Sequence, residues 1–309
     1  MVSDRPQIII DTDPGLDDAV AILFALNSGR FDVLGLTTVA GNLGIDTTTR
    51  NAGRLLALLG REEIPVISGA AMPLGRPGIT EAAIHGDDGL GGVVLPEPLA
   101  APREYAPFWI GEQLRSAPAG TVDLFALGPL TNVGLMVRDH ADALRRMRRL
   151  IVMGGVVADR GNVGPHSEFN FACDPEAVDA VLRAGIDVTL IPLDVTRKVR
   201  ASANYLDALR TGTAGNAAAD LIAAYFQDGR ESRPLHDPCV MLYALAPQLF
   251  TTEMRSFSVD LTSGPDAGAL LQHGDTVPVQ VATNVDAAGA LALLAQGLTG
   301  SSPSTSAVQ

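Results

Sequence analysis

The feature that most constrains this chain is an alternation. Short apolar, β-branched runs recur at Gln7–Ile10, Val33–Val39, Pro65–Ile67, Val122–Leu127, Leu150–Met153 and Val188–Leu193. Helix-like stretches lie between them, at Asp17–Leu26, Thr47–Leu59, Phe108–Ser116, Asn132–Arg138 and Pro175–Ala184. Alternation of this kind predicts βαβ units around a parallel sheet. The runs are continuous rather than every-other-residue, as expected of strands covered on both faces. Hydrophobic residues make up 47% of the 309 positions and charged ones only 18%, enough to bury a full core. The expected fold is α/β: an open, mostly parallel, Rossmann-like sheet with helices on both faces. Ala201–Arg233 reads as a small helical cap. No internal repeat or proline-rich linker divides the chain, so 1–298 is expected to be a single domain. The Ser-, Thr- and Gly-rich stretch from Gly297 reads as a fraying end, with 299–309 a disordered tail.

Charge narrows the function. A net charge of −13 leaves nothing to neutralise a phosphate backbone, so nucleic acid is not expected as a partner. Lys198 is the only lysine, and it lies far from any glycine-rich turn. Phosphate-loop nucleotide hydrolysis and Schiff-base chemistry both need a lysine in a particular place. Cys173 and Cys239 form no CxxC pair, which points to a reduced compartment. No signal peptide or membrane-spanning run is present, so a cytoplasmic protein without a membrane partner is expected.

Polar and glycine residues follow the carboxyl ends of the apolar runs: Asp11–Asp18, Gly41-Asn42, Ser68-Gly69, Gly128-Pro129, Gly154-Gly155 and Asp194. In open α/β sheets ligands bind outside those strand ends, so these loops should line one site. Asp11-Thr12-Asp13-Pro14-Gly15-Leu16-Asp17-Asp18 is the densest of them. Acids in a first helical turn complement the helix dipole, which could account for Asp17 and Asp18. It does not account for Asp11 and Asp13, one pleat apart on the same side of a strand. Four carboxylates this close repel one another unless a cation intervenes. All-oxygen ligands favour Ca²⁺ or Mg²⁺ over Zn²⁺. The glycine falls one position early for an EF-hand, and Ile22 stands where its bidentate Glu should be.

Three further segments carry chemistry. His236-Asp237-Pro238 reads as a helix start, with Asp237 as N-cap and Pro238 at the first helical position. It still leaves a His and an Asp pointing out of a helix N-terminus. Glu168 and Asn170, two apart in extended chain, would face one way and could hold vicinal hydroxyls. The glycine-rich His85–Gly92 is either a surface turn or a lid with His85 at its tip. His140, His166 and His273 have no such context, and Trp109 reads as core.

Taken together, these residues resemble the inosine-uridine preferring nucleoside hydrolases. The resemblance starts at Asp11–Asp18 and continues through Val39–Asn42, His85–Gly89, Leu127–Asn132, Val152–Gly155, Glu168–Asn170 and Asp174–Ala177, ending at His236–Cys239. It implies a Ca²⁺ held by Asp13, Asp18, Asp237 and the backbone carbonyl of Leu127. Asp13 also resembles the general base that takes a proton from a metal-bound water, with Asp11 supporting it from behind. Asp17, Asn42, Asn162, Glu168 and Asn170 match positions that hold the ribose hydroxyls, and Met153 would lie beneath the sugar. His85, Phe226 and Arg230 match substrate-binding positions, the last two near the base, with Gln227 between them. His236 matches a residue that protonates the leaving base.

The activity so implied is hydrolysis of the N-glycosidic bond of ribonucleosides to ribose and free base. A departing base leaves an oxocarbenium-like ribosyl centre, which surrounding carboxylates stabilise. The segment Tyr225–Leu235 is shorter than in some members, and a single tryptophan argues against a purine site built by stacking. A purine- and pyrimidine-tolerant or pyrimidine-preferring enzyme is the expectation. The rivals are phosphorolysis of the same bond, which needs a phosphate pocket, and a nucleoside- or ribose-binding protein without turnover. A homodimer or homotetramer is expected.

Overall fold

The computed structural model describes residues 5–226, 232–272 and 276–300. Its centre is a nine-stranded sheet. In chain order the strands are β1 (Gln7–Thr12), β2 (Asp32–Thr38), β3 (Val66–Ser68), β4 (Arg103–Glu104), β5 (Val122–Ala126), β6 (Arg149–Met153) and β7 (Val188–Ile191). Two small antiparallel pairs and two more sheet strands follow. β8 (Arg200–Ser202) pairs with β9 (Ser232–Pro234), and β11 (Phe257–Val259) with β12 (Leu270–Gln272). β10 (Phe250–Arg255) and β13 (Val279–Val285) complete the large sheet in the order β10-β13-β7-β6-β5-β1-β2-β3-β4. Every pairing in it is parallel except β10 with β13 at one edge. The six strands expected from the apolar runs are all present. The edge strands β4 and β10, and β13 beside β10, were not among those runs; β10 is exposed or half-buried after Phe250 and carries Thr251, Thr252, Glu253 and Arg255 rather than an apolar run.

The chain winds outward from β1 to β4, then returns to the other side of β1 with β5. That reversal opens a crevice at the carboxyl ends of β1 and β5, where ligands of such sheets bind. One face of the sheet packs against helices Leu16–Asn27, Ile45–Leu59, Gly212–Ala224, Pro238–Leu245 and Ala287–Thr299, around Ile8, Ile10, Phe24 and Phe125. The other carries Ala106–Ser116, Thr131–Asp139 and Pro175–Arg183, around Ile9, Leu124, Val152 and Phe171. Alternate residues of β1 therefore feed opposite cores, as the pleat requires.

Local chemistry sets the boundaries. Asp174 caps its helix by accepting from Ala177 N at 3.0 Å, with Pro175 at the first position. Gly60, in the left-handed region at φ 62°, closes Ile45–Leu59. The helical segment expected after Ala201 takes the form of two helices, Ala203–Leu209 and Gly212–Ala224. The second lies against Leu16–Asn27 and delivers Tyr225 to the site. The tail expected over 299–309 falls outside the described residues from 301 onward; Thr299 ends the last helix and Gly300 caps it. No helix among the described residues is long and apolar enough to cross a membrane.

Candidate active site

The turn after β1 is built around one carboxylate. Asp18 Oδ1 accepts from Thr12 Oγ1 at 2.6 Å and from Asp13 N at 3.3 Å; its Oδ2 accepts from Gly15 N and Asn42 Nδ2, each at 3.1 Å. Strand end, turn and first helical turn are thereby locked together. A Cβ on Gly15 would lie 2.7 Å from His85 Cε1 and 2.8 Å from Asn42 Nδ2, so only glycine fits there. Asp13, just past the strand, accepts from Asn42 N at 2.7 Å through Oδ2, while its buried Oδ1 has no partner. Asp11 turns the other way. Its Oδ1 accepts from Thr37 Oγ1 at 2.5 Å and Asn132 Nδ2 at 2.8 Å, and Asn132 also donates to Thr38 O.

Asp237 comes from more than 200 residues away. The helix start read at His236-Asp237-Pro238 is correct for the backbone, with Pro238 first in the helix. The Asp237 side chain does not cap it, however, and is left free to join Asp17 and Asp18. These three carboxylates each place an oxygen within 4.8 Å of the others. All three are buried. Asp17 is pushed up to about 7 by burial and then by Asp18. Asp13 and Asp237 are held well above the usual carboxylate range by burial and by their acidic neighbours. Asp11 rises to about 6, chiefly by burial. A hard divalent cation fits this oxygen-only set and would cancel its repulsion; Asp13, expected among the ligands, lies outside the trio, and Asp17 stands in it instead.

The opposite wall comes from the loops after β5 and β6. Glu168 is an N-cap: Oε1 accepts from Asn170 N at 2.9 Å, and Oε2 from Gly155 N at 2.9 Å and Phe171 N at 3.2 Å. The extended pairing expected of Glu168 and Asn170 is thus corrected, because Phe169–Cys173 is helical and the capping bonds favour that turn. Both residues line the cavity all the same. Burial lifts Glu168 to about 7 against the pull of its three N–H donors. Asn170 Nδ2 donates to the Leu127 carbonyl at 2.7 Å and to Met153 O at 3.2 Å. Asn162 Oδ1 accepts from Phe169 N at 2.9 Å.

Two histidines close the remaining side. His85 ends the short helix Ala82–His85 and is buried rather than placed at a lid tip. Its Nδ1 accepts from Leu16 N at 3.0 Å, satisfying a donor at a helix start, and its ring stacks on Tyr225 with centroids 5.9 Å apart. Burial pushes it down to about 4. His236 Nδ1 lies 2.7 Å from Thr196 Oγ1. Burial and then Arg197 and Arg200 push it down to about 3.

The cavity enclosed is about 530 Å³. Asp17, Asp18, Asn42, His85, Leu127, Met153, Asn162, Glu168, Asn170, His236 and Asp237 all line it. Asp13 sits beneath, joined to it through Asn42. Phe226 packs against the core instead, and Arg230 and Gln227 lie outside the described residues. Sequence reasoning missed Tyr225, Arg197 and Arg233, all of which line the cavity. Arg233 lies over the Tyr225 ring at 4.8 Å and donates to the Tyr225 carbonyl at 2.6 Å. For Arg197 a signal existed, since it follows β7 just as the other site loops follow their strands.

Comparison with known proteins gives the family. The family model described as inosine-uridine preferring nucleoside hydrolase matches residues 8–292. The chain belongs to this family. A pyrimidine-specific ribonucleoside hydrolase, RihA, of Shewanella woodyi is 38% identical over 307 residues, covering 95% of this chain and 98% of that protein. Among solved structures, a purine-preferring ribonucleoside hydrolase from Gardnerella vaginalis superposes with a TM-score of 0.87 at 30% identity, covering 95% of this chain and 98% of that one. A plant nucleoside hydrolase gives 0.85 at 32%, covering 95% and 99%. As a nucleoside hydrolase the protein is an enzyme acting on N-glycosyl bonds, and the cavity over the acidic cluster is its candidate active site.

Proposed function

We propose that this nucleoside hydrolase cleaves ribonucleosides to ribose and free base, with Ca²⁺ at the acidic cluster. The observation that carries the reading is the trio of buried carboxylates, Asp17, Asp18 and Asp237, in the wall of a cavity also lined by Asn42, Asn162, Glu168 and Asn170. Asp13, Asp18, Asp237 and the Leu127 carbonyl would hold the cation, which when bound supplies positive charge and Lewis acidity. Asp13 takes a proton from the attacking water through Oδ1. Asp17, Asn42, Asn162, Glu168 and Asn170 hold the ribose hydroxyls, with Met153 beneath the ring. The buried acids stabilise positive charge developing at C1′ as the base departs. His85 and His236 face the base.

Two observations favour pyrimidine ribonucleosides: the RihA relative carries a pyrimidine-specific name, and no tryptophan lines the cavity to stack on a purine. The single tryptophan, Trp109, packs beside Gly35 instead. We further read the enzyme as a cytoplasmic homodimer or homotetramer serving nucleoside salvage. Exposed Tyr105 and Phe108 beside a second, largely apolar cavity of about 570 Å³ support association, which sedimentation of the purified protein tests. The test of activity is a turnover panel of uridine, cytidine, inosine, adenosine and guanosine, with and without chelator and with and without phosphate. Release of free base without phosphate, lost on chelation and restored by Ca²⁺, is expected. Dependence on phosphate would establish phosphorolysis, and tight binding without turnover a binding protein.

A further inference from the structure

The short helix Leu193–Thr196 follows β7 and lies behind the base side of the cavity. Thr196, its last residue, is fully buried and does not itself line the cavity. Among the described residues the sole hydrogen-bond partner of its hydroxyl is His236 Nδ1, at 2.7 Å. A threonine hydroxyl carries one proton and needs an acceptor for it. Were His236 to donate from Nδ1, that proton would be stranded in a dry site, which is costly. The lower-energy arrangement has Thr196 donating and Nδ1 accepting. The imidazole then carries its hydrogen on Nε2. Because Nδ1 is turned to a buried side chain, Nε2 is the nitrogen on the cavity side.

We infer that Thr196 is a positioning residue that fixes the tautomer and ring orientation of His236, so that Nε2–H points at the leaving base. The inference rests on the proposed role of His236 at that base. In the reaction, the electron pair of the C1′–N bond passes to the base, and Nε2–H donates a hydrogen bond to the charge that develops there. No proton need leave the ring for good. Water gives hydroxyl to C1′ and, by way of Asp13, the proton that completes the free base. A neutral imidazole suffices for this, in keeping with the surrounding arginines Arg197, Arg200 and Arg233.

The experiment compares Thr196→Val, Thr196→Ser and His236→Ala on uridine, inosine and 4-nitrophenyl riboside, whose leaving group departs unaided. Thr196→Val keeps the shape of the side chain and removes the hydroxyl. It should lower kcat on the nucleosides by about 10- to 100-fold, the range expected for losing one buried orienting hydrogen bond. The nitrophenyl substrate should change by less than about threefold, and Thr196→Ser should restore nucleoside turnover. Equal loss on all substrates, no loss on any, or failure of serine to rescue overturns the role of Thr196. His236→Ala separates the two layers of the argument. If it spares the nitrophenyl substrate while Thr196→Val is not selective, only the inference about Thr196 fails. If it slows all three equally, the leaving-base role of His236 fails with it. Folding is monitored by melting temperature and near-ultraviolet circular dichroism.

Discussion

A methyl group added at Gly41 should disable this enzyme without any charged residue being replaced. Gly41 does not occupy the left-handed region, so alanine is conformationally allowed. The obstacle is space. A Cβ built there would sit 2.9 Å from the Asp13 carboxyl carbon, closer still to Oδ2, and 2.7 Å from Pro129 Cδ on the other side. The proline ring blocks one retreat, so the carboxylate must shift by about 1 Å to reach ordinary van der Waals separation. The shift breaks the 2.7 Å bond from Asn42 N to Asp13 Oδ2. A hydrogen bond to a charged group is worth about 1.5–3 kcal/mol. Misplacing a reacting group by about 1 Å can cost about 10²-fold in rate, or about 3 kcal/mol of barrier. Gly41→Ala should therefore lower kcat/KM for uridine by about 10²-fold or more, measured by loss of nucleoside absorbance, while the protein stays folded. Gly44→Ala is the control, since a Cβ there meets nothing within 4 Å; it should keep its rate within about twofold, because no group it adds reaches the site. Wild-type kcat/KM in Gly41→Ala would refute the reasoning, because Asp13 could then tolerate displacement.

Asp13→Asn keeps the volume of the side chain but removes its basicity, and should abolish measurable turnover; substantial activity would exclude Asp13 as the base. Asp194 accepts from the consecutive amides of Val157, Ala158 and Asp159 at 2.7–3.0 Å, and Arg197 binds Asp159 and the Gly161 carbonyl of the same loop. Asp194→Ala should loosen the loop carrying Asn162 and raise KM by about tenfold, as an interaction worth about 1.4 kcal/mol predicts; an unchanged KM with reduced kcat would contradict that. Glu168 sits near 7 in the folded protein against 4.5 when exposed. The folded state therefore binds the extra proton, and its contribution to stability is fully present below about 4.5 and lost as pH rises to about 7, a change of a few kcal/mol. Glu168→Gln should flatten the fall in urea-unfolding stability between pH 5 and 8, and an identical slope would show that another group titrates. Chelation should lower the melting temperature as well as turnover, with Ca²⁺ restoring both; indifference of both to chelator would remove the metal from the acidic cluster.

The six central strands and the helices between them were legible because continuous apolar runs survive only where both faces are buried. The acidic cluster was legible for the opposite reason, since Asp13, Asp17 and Asp18 lie within a six-residue turn where their repulsion demands an explanation. Position relative to strand ends likewise located Asn42, Leu127 and Met153. Short edge strands and the base side of the cavity were not legible. β10 is polar and largely exposed after Phe250 like any surface segment, Tyr225 ends an ordinary-looking helix, and Arg233 lies in the three-residue strand β9.

What the sequence by itself determined is the parallel α/β layout, the oxygen-rich turn after the first strand and the class of chemistry such a turn can serve. Only the tertiary structure decided which atoms remain available for that chemistry. It committed Asp11 to Thr37 and Asn132, spent Glu168 on three backbone amides, and left Asp13 Oδ1 without a partner. It also turned Asp237 away from capping its helix and set Thr196 behind His236. The physical reason is that a carboxylate or an imidazole is defined by the hydrogen bonds around it, and those come from residues as far as 219 positions away in the chain.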